Sequence, residues 1–102
     1  MEPTELETTE NQYWVDQCAA LGRLKKNKDF QDVILNGYFK DKAINGVSLL
    51  AVPSVKEAGQ RGDIMEDLVA ISNLQYHFMM IENLGAIAED DMIEEALNPV
   101  TE

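Results

Sequence analysis

An all-α fold, with short helices packed on one long C-terminal helix as a helical hairpin or small bundle, is what this sequence predicts. Three observations carry that expectation. Apolar residues recur at steps of three and four, above all from Ile64 onward; capping-box patterns open the segments; and Asn36-Gly37, Pro53 and Asn98-Pro99 close them.

Thr4 to Glu7 and Thr9 to Gln12 each pair a hydroxyl with a side chain three residues on that can reach back to the cap, so a first helix is expected to start at one of them. Trp14, Cys18, Leu21 and Lys25 then form a narrow stripe flanked by Tyr13 and Leu24, and the helix should end near Lys26 to Lys28, where positive charge suits the negative end of the helix dipole. Asp29 is the next candidate cap, opening a short helix with Phe30, Val33 and Ile34 on one side and a stop at Gly37. A third helix is expected from Tyr38 to Ala51, its stripe made of Phe39, Ala43, Val47 and Leu50 with Ile44 beside it. Gly46 there either weakens the helix or marks a close contact, and Pro53 ends it.

Ser54 to Glu57 and Asp63 to Glu66 are two further capping boxes, and the glycines at 59 and 62 between them predict a break or loose turn. From Ile64 the stripe Ile64, Leu68, Ile71, Leu74, Phe78, Ile81, Gly85, Ala88 and Met92 sustains one helix to Leu97, with Met65, Val69, Met79, Met80, Leu84 and Ile87 widening its face. At about 1.5 Å per residue such a helix is roughly 50 Å long. A compact chain of this length has a radius of gyration near ~13 Å, so the far half is expected to need another copy, another protein or solvent. The domain organisation that follows is a flexible acidic N-terminus over 1–8, a single helical domain over 9–97 with its long helix from about residue 63, and a flexible tail over 98–102.

With 102 residues, 45% of them apolar, there is material for one core whose surface stays partly exposed unless an oligomer or partner covers it. Cys18 is the only cysteine and nothing at the acidic N-terminus resembles a secretory signal, so a reducing, cytosolic setting is expected. The longest strongly apolar run, Leu49 to Val52, falls far short of the roughly 20 residues of a membrane span.

Charge is segregated along the chain. Met1 to Gly22 carries −5, Arg23 to Arg61 carries +4 with all eight bases of the protein, and Gly62 to Glu102 carries −10, which together make the net −11. That total repels phosphate backbones and anionic membranes, so nucleic acid is a disfavoured partner and no membrane is expected. A head-to-tail contact between the basic centre of one copy and the acidic C-terminal arm of another is the simplest use of the pattern.

Chemistry finds little support. His77 is the one base of the usual neutral-pH kind, and it sits two residues from the main stripe, as a surface histidine would. Cys18 on an apolar stripe reads as a small buried thiol rather than a nucleophile. No second histidine or cysteine stands at zinc spacing. The acids Glu89, Asp90, Asp91, Glu94 and Glu95 lack the loop ligands and central glycine of a calcium site. Gly59-Gln60-Arg61-Gly62 lacks the spacing of a phosphate loop, and the bases Arg23, Lys25, Lys26 and Lys28 are not interleaved with stacking aromatics. No enzymatic activity, catalytic residue, metal or cofactor is therefore expected. Met65, Met79, Met80 and Met92 suit either an irregular core or an adaptable partner surface.

The stretch Leu21-Gly22-Arg23-Leu24, Asp29-Phe30-Gln31, Ile34-Leu35-Asn36-Gly37-Tyr38-Phe39 and Leu49-Leu50-Ala51, followed by a long helix with an acidic end, resembles small acidic helical proteins of tailed bacteriophages. The resemblance implies a virion-assembly setting, in the host cytoplasm or the virion, and carries no site residues with it. The expected function is a non-enzymatic assembly or structural accessory protein acting through helix-mediated self-association or docking. Its partner is a protein, either a second copy in a homo-oligomer or another virion or host protein, met through Phe78, Met79, Ile81, Leu84, Ile87 and Met92. A host-directed inhibitor mimicking nucleic acid is the alternative, although the charge-free interval between Asp67 and Glu82 is a poor copy of a phosphate row. A small-ligand module using Trp14, Tyr13 and Tyr38 is a third.

Overall fold

The computed structural model describes the backbone of residues 4–97 and the side chains of residues 10–97. The protein is all-α: among the described residues there is no strand, and a long C-terminal helix packs against shorter ones. Helix α1 spans Thr4–Lys26 and carries Thr9 inside it. Of the flexible ends expected at 1–8 and 98–102, residues 1–3 and 98–102 lie outside the described residues, while 4–8 belong to α1.

The chain leaves α1 through Asn27, whose extended backbone (φ −74, ψ 125) lets its Oδ1 accept the Phe30 N–H at 3.0 Å. Asn27, rather than Asp29, is thus the N-cap of α2 (Lys28–Phe30), and Asp29 falls in the first turn, where its charge suits the helix dipole. Gln31 Nε2 donates to the Lys25 carbonyl at 2.6 Å, satisfying an acceptor at the end of α1.

No stop occurs at Gly37. Helical backbone continues from α2 through a π-helical segment, Gln31–Lys42, into α3, Ala43–Leu50, and the junction residues Phe30 (φ −63, ψ −42) and Ala43 (φ −66, ψ −45) are right-handed. The physical reason lies in the apolar spacing. Phe30, Ile34, Leu35, Tyr38, Phe39 and Ala43 are half-buried and recur at four and five, close to the about 4.4 residues per turn of a ladder bonded from i to i+5. An ordinary α-helix would rotate the later members out to solvent. Val33, expected on the inner side, is 65% exposed instead. A Cβ at Gly37 would lie 3.0 Å from the Asp32 carbonyl oxygen, so the wide turn favours a residue without a side chain there.

In α3 the inward residues are Ala43, Gly46 and Leu50, and the expected stripe member Val47 is exposed, as is Ile44 beside it. Gly46 shifts the face by one position because it permits close approach: an added Cβ would lie 3.1 Å from Leu68 Cδ2. Arg61 Nε caps the end of α3 by donating to the Leu50 carbonyl at 3.1 Å.

Helix α4, Pro53–Glu57, begins one residue before the expected capping box. Val52 is its cap and Pro53 its first residue, where a fixed φ and a missing N–H cost nothing, so Ser54 makes no cap bond. The turn expected across 58–62 is a Schellman closure. Gly59 takes φ 72, its N–H bonds to the Lys56 carbonyl at 3.1 Å, and the Gln60 N–H bonds to the Val55 carbonyl at 3.0 Å. Helix α5 then runs over Arg61–Leu97, two residues longer at its start than the Asp63 box implied. All nine members of its main stripe, from Ile64 to Met92, are buried or half-buried.

Contacts gather into two compact units. One comprises residues 1–24 with 78–102, the other residues 25–77. In the first, α1 packs on the second half of α5, with Leu21, Ile81 and Ala88 as its buried apolar residues. In the second, Val55 and Ile71 are buried, and the first half of α5 packs on α3. The far half of α5 is therefore covered from within, contrary to the expectation that the first three helices would all pack on its near half. Gly85 makes this cover possible. A Cβ there would collide with Cys18 Cβ and lie 2.9 Å from Cys18 Sγ and 3.1 Å from the Trp14 carbonyl oxygen.

Candidate interaction surface

The second half of α5 presents three faces, each fixed by helical spacing. Ile81, Gly85 and Ala88, at i, i+4 and i+7, are buried against α1. Met79 and Ile87, eight residues and so about 80° apart around the helix, face outward with 49% and 57% exposure. Between these faces Glu89, Met92, Ile93 and Ala96 meet Val15, Cys18 and Ala19 of α1 across an open, mainly apolar trough of about 450 Å³ that begins at Gly85.

The six residues expected to bind a partner are thereby divided. Ile81 is core, Phe78 and Leu84 are half-buried, Met92 lines the trough, and Met79 and Ile87 form the outward face. The division follows from the cover by α1, which turns the centre of the stripe inward and leaves its margins. Sequence reasoning missed Val15, Ala19, Ile93 and Ala96, because none of them falls on the main stripe of its helix. The only legible hint was their alignment, with Ala19 four residues after Val15 and Ala96 seven after Glu89.

Cys18 is half-buried beneath Gly85, as expected for a packed thiol. His77 is exposed, as are Glu89, Asp90, Asp91, Glu94 and Glu95. Among the described residues no group of three or more His, Cys, Asp or Glu is placed to hold a metal ion, and no helix is long and apolar enough to cross a membrane. Of the aromatic set considered for a ligand pocket, Tyr13 and Trp14 stack edge to face at 4.9 Å, Tyr38 pairs with Phe39 at 6.0 Å, and none of them lines the trough. A second cavity, in the 25–77 unit between α3 and α5, measures about 70 Å³. Ligand pockets run to roughly 300–1,000 Å³, so this one is too small.

Charge divides along the same lines as contact. Residues 25–77 carry seven bases and seven acids and are neutral, so the whole net −11 rests on the other unit, where Arg23 is the single base. The basic block of Arg23 to Arg61 thus falls mostly in the unit that is neutral as a whole. Comparison with protein-family models, with curated proteins and with solved structures finds no match.

Proposed function

We propose that this protein is a non-enzymatic assembly or structural accessory factor that acts through its helix surfaces, by self-association and by docking. Virion assembly, in the host cytoplasm or the virion, is the setting that the sequence resemblance to phage proteins implies. One observation carries the reading. Among the described residues five apolar residues are buried, none of them completely, while fourteen large apolar side chains stay exposed, Met79 and Ile87 among them. Exposed apolar surface in such excess over the buried core marks association surfaces in a small protein.

Self-association through the outward face of α5 brings together units that each carry the acidic excess. Repulsion opposes it, and added salt, which screens exposed charges, strengthens it. Sedimentation velocity of the full chain at low and high salt tests this. The wild type should move from monomer toward oligomer as salt rises, and Met79→Glu with Ile87→Glu should stay monomeric while keeping its far-UV circular dichroism. A wild type that is monomeric at every salt and protein concentration would defeat self-association.

A further inference from the structure

We infer that the outer face of α5 pairs with the same face of a second copy of this chain, the two helices running antiparallel in a register centred on Tyr76 and Met79. The inference rests on the self-association half of the proposed function and supplies the direction and register of the partner.

On that face Met65, Val69, Ser72, Tyr76, Met79 and Asn83 follow one another at steps of four, three, four, three and four, and all six are exposed. At about 100° per residue they lie within an arc of about 80°, on the side of the helix away from the buried Ile71, Ile81, Gly85 and Ala88. Alternating steps of three and four are those of a seam between two helices, where each side chain packs among those of the facing helix.

The charges on the same arc select the occupant and its direction. Arg61 stands four residues before Met65, and Asp90 and Glu94 follow Asn83, all three exposed. A parallel pair sets arginine against arginine and acid against acid, whereas an antiparallel pair brings the Arg61 end of each copy alongside the Asp90 and Glu94 end of the other. The face therefore complements itself in one direction only. Polar seam residues then fix the register. The steps repeat every seven residues, so registers that preserve the seam differ by seven. In one of them Tyr76 faces Met79, a ring beside a thioether, Val69 faces Ala86, and the Ser72 hydroxyl faces the Asn83 amide. Its two neighbours set Asn83 against Met65 or Met79, where the amide loses water and gains no partner.

Disulfide capture in the full chain at high salt tests direction and register together. Ser72→Cys and Asn83→Cys are made as separate variants and mixed under oxidised glutathione, which accepts the electrons of the two thiols. In the inferred pair residue 72 of one copy meets residue 83 of the other, while the two residues 72 stand eleven positions apart, about 16 Å along the axis. A disulfide needs Cα atoms about 4.4–6.8 Å apart. Mixed disulfide should therefore form readily, and each variant alone should form little. The chain has no lysine or arginine after Arg61, so trypsin releases the linked 62–102 segments apart from any link at Cys18, and their masses identify the pair. Tyr76→Glu should weaken association at least about tenfold, because it places a charge at the centre of the seam. Val47→Glu, on the exposed side of α3, should leave association unchanged. Links of 72 to 72 and 83 to 83 would show a parallel pair and overturn the inference while self-association stands. Association without any of these links, or unaffected by Tyr76→Glu, would place the contact elsewhere and overturn it as well. A wild type that sediments as a monomer at every salt and protein concentration would remove both readings.

Discussion

The two units join their helices through the same residue type and tolerate change there very differently. In the 25–77 unit a Cβ at Gly46 would meet the Leu68 side chain, 3.1 Å from Cδ2 and 3.6 Å from Cγ, with Ile64 Cγ2 at 3.7 Å. In the acidic unit a Cβ at Gly85 would meet Cys18 Cβ and the Trp14 carbonyl. Leucine tips swing by a rotamer change, whereas a Cβ and a main-chain oxygen move only if a helix moves. The acidic unit has built its contact from backbone proximity. Its buried side chains are few, Leu21, Ile81 and Ala88, and the repulsion among its acids works against its own compactness. The neutral unit has no such repulsion and leaves slack in the corresponding place.

Gly85→Ala is the substitution that tests this most severely. It should cost about 3 kcal/mol, the upper end of the usual range for overpacking, read as a loss of urea stability followed by Trp14 emission. Cys18→Gly in the Gly85→Ala background removes one of the two opposing groups, so the pair should show favourable coupling in a double-mutant cycle. Stability within about 0.5 kcal/mol of wild type would mean that α1 and α5 do not approach this closely in solution.

That contact was half legible in the sequence. The stripe from Ile64 to Met92 includes Gly85 at its proper spacing, and the stripe Trp14, Cys18, Leu21, Lys25 includes Cys18, so the faces of both helices could be read. What could not be read was that these two faces meet, because pairing of distant segments leaves no local periodicity. The π-helical segment was hidden for another reason. Phe30, Ile34, Leu35, Tyr38, Phe39 and Ala43 have a period between four and five, and a search at 3.6 divides them into two short helices with a stop at Gly37. The trough escaped notice because alanine and glycine at a helix surface look the same whether they face solvent or a neighbour. The turn at Gly59, by contrast, follows from local chemistry alone, and it was the most legible feature of the 54–62 stretch.

Gly59→Ala probes the neutral unit where it does lack slack. The residue holds φ 72, a region that costs an L-residue roughly 1–2 kcal/mol, while nothing lies within 4 Å of an added Cβ. The expected loss is therefore about 1 kcal/mol, seen in thermal unfolding by far-UV circular dichroism, and Gly59→Asn should lose less because asparagine enters this region more readily. Equal losses for alanine and asparagine would point to a contact rather than to backbone conformation. The contrast with Gly85 would then weaken, since both units would be limited by sterics.

Gly46→Ala should have the smallest effect, and its size decides whether the comparison holds. Replacing glycine within α3 gains up to about 1 kcal/mol of helix propensity. Against this stands the displacement of Leu68 Cδ2 by a few tenths of an ångström into a space that already borders a cavity of about 70 Å³. The two terms nearly offset, so the net change should lie within about 0.5 kcal/mol of zero by urea unfolding. Gly46→Val adds two methyl groups that the swing of one leucine cannot absorb, and it should cost more than 1 kcal/mol, near the lower end of overpacking. If alanine at 46 proves as damaging as alanine at 85, the slack assigned to Leu68 does not exist. Both helix contacts would then be closed to the same degree, and the difference between the units would rest on charge alone.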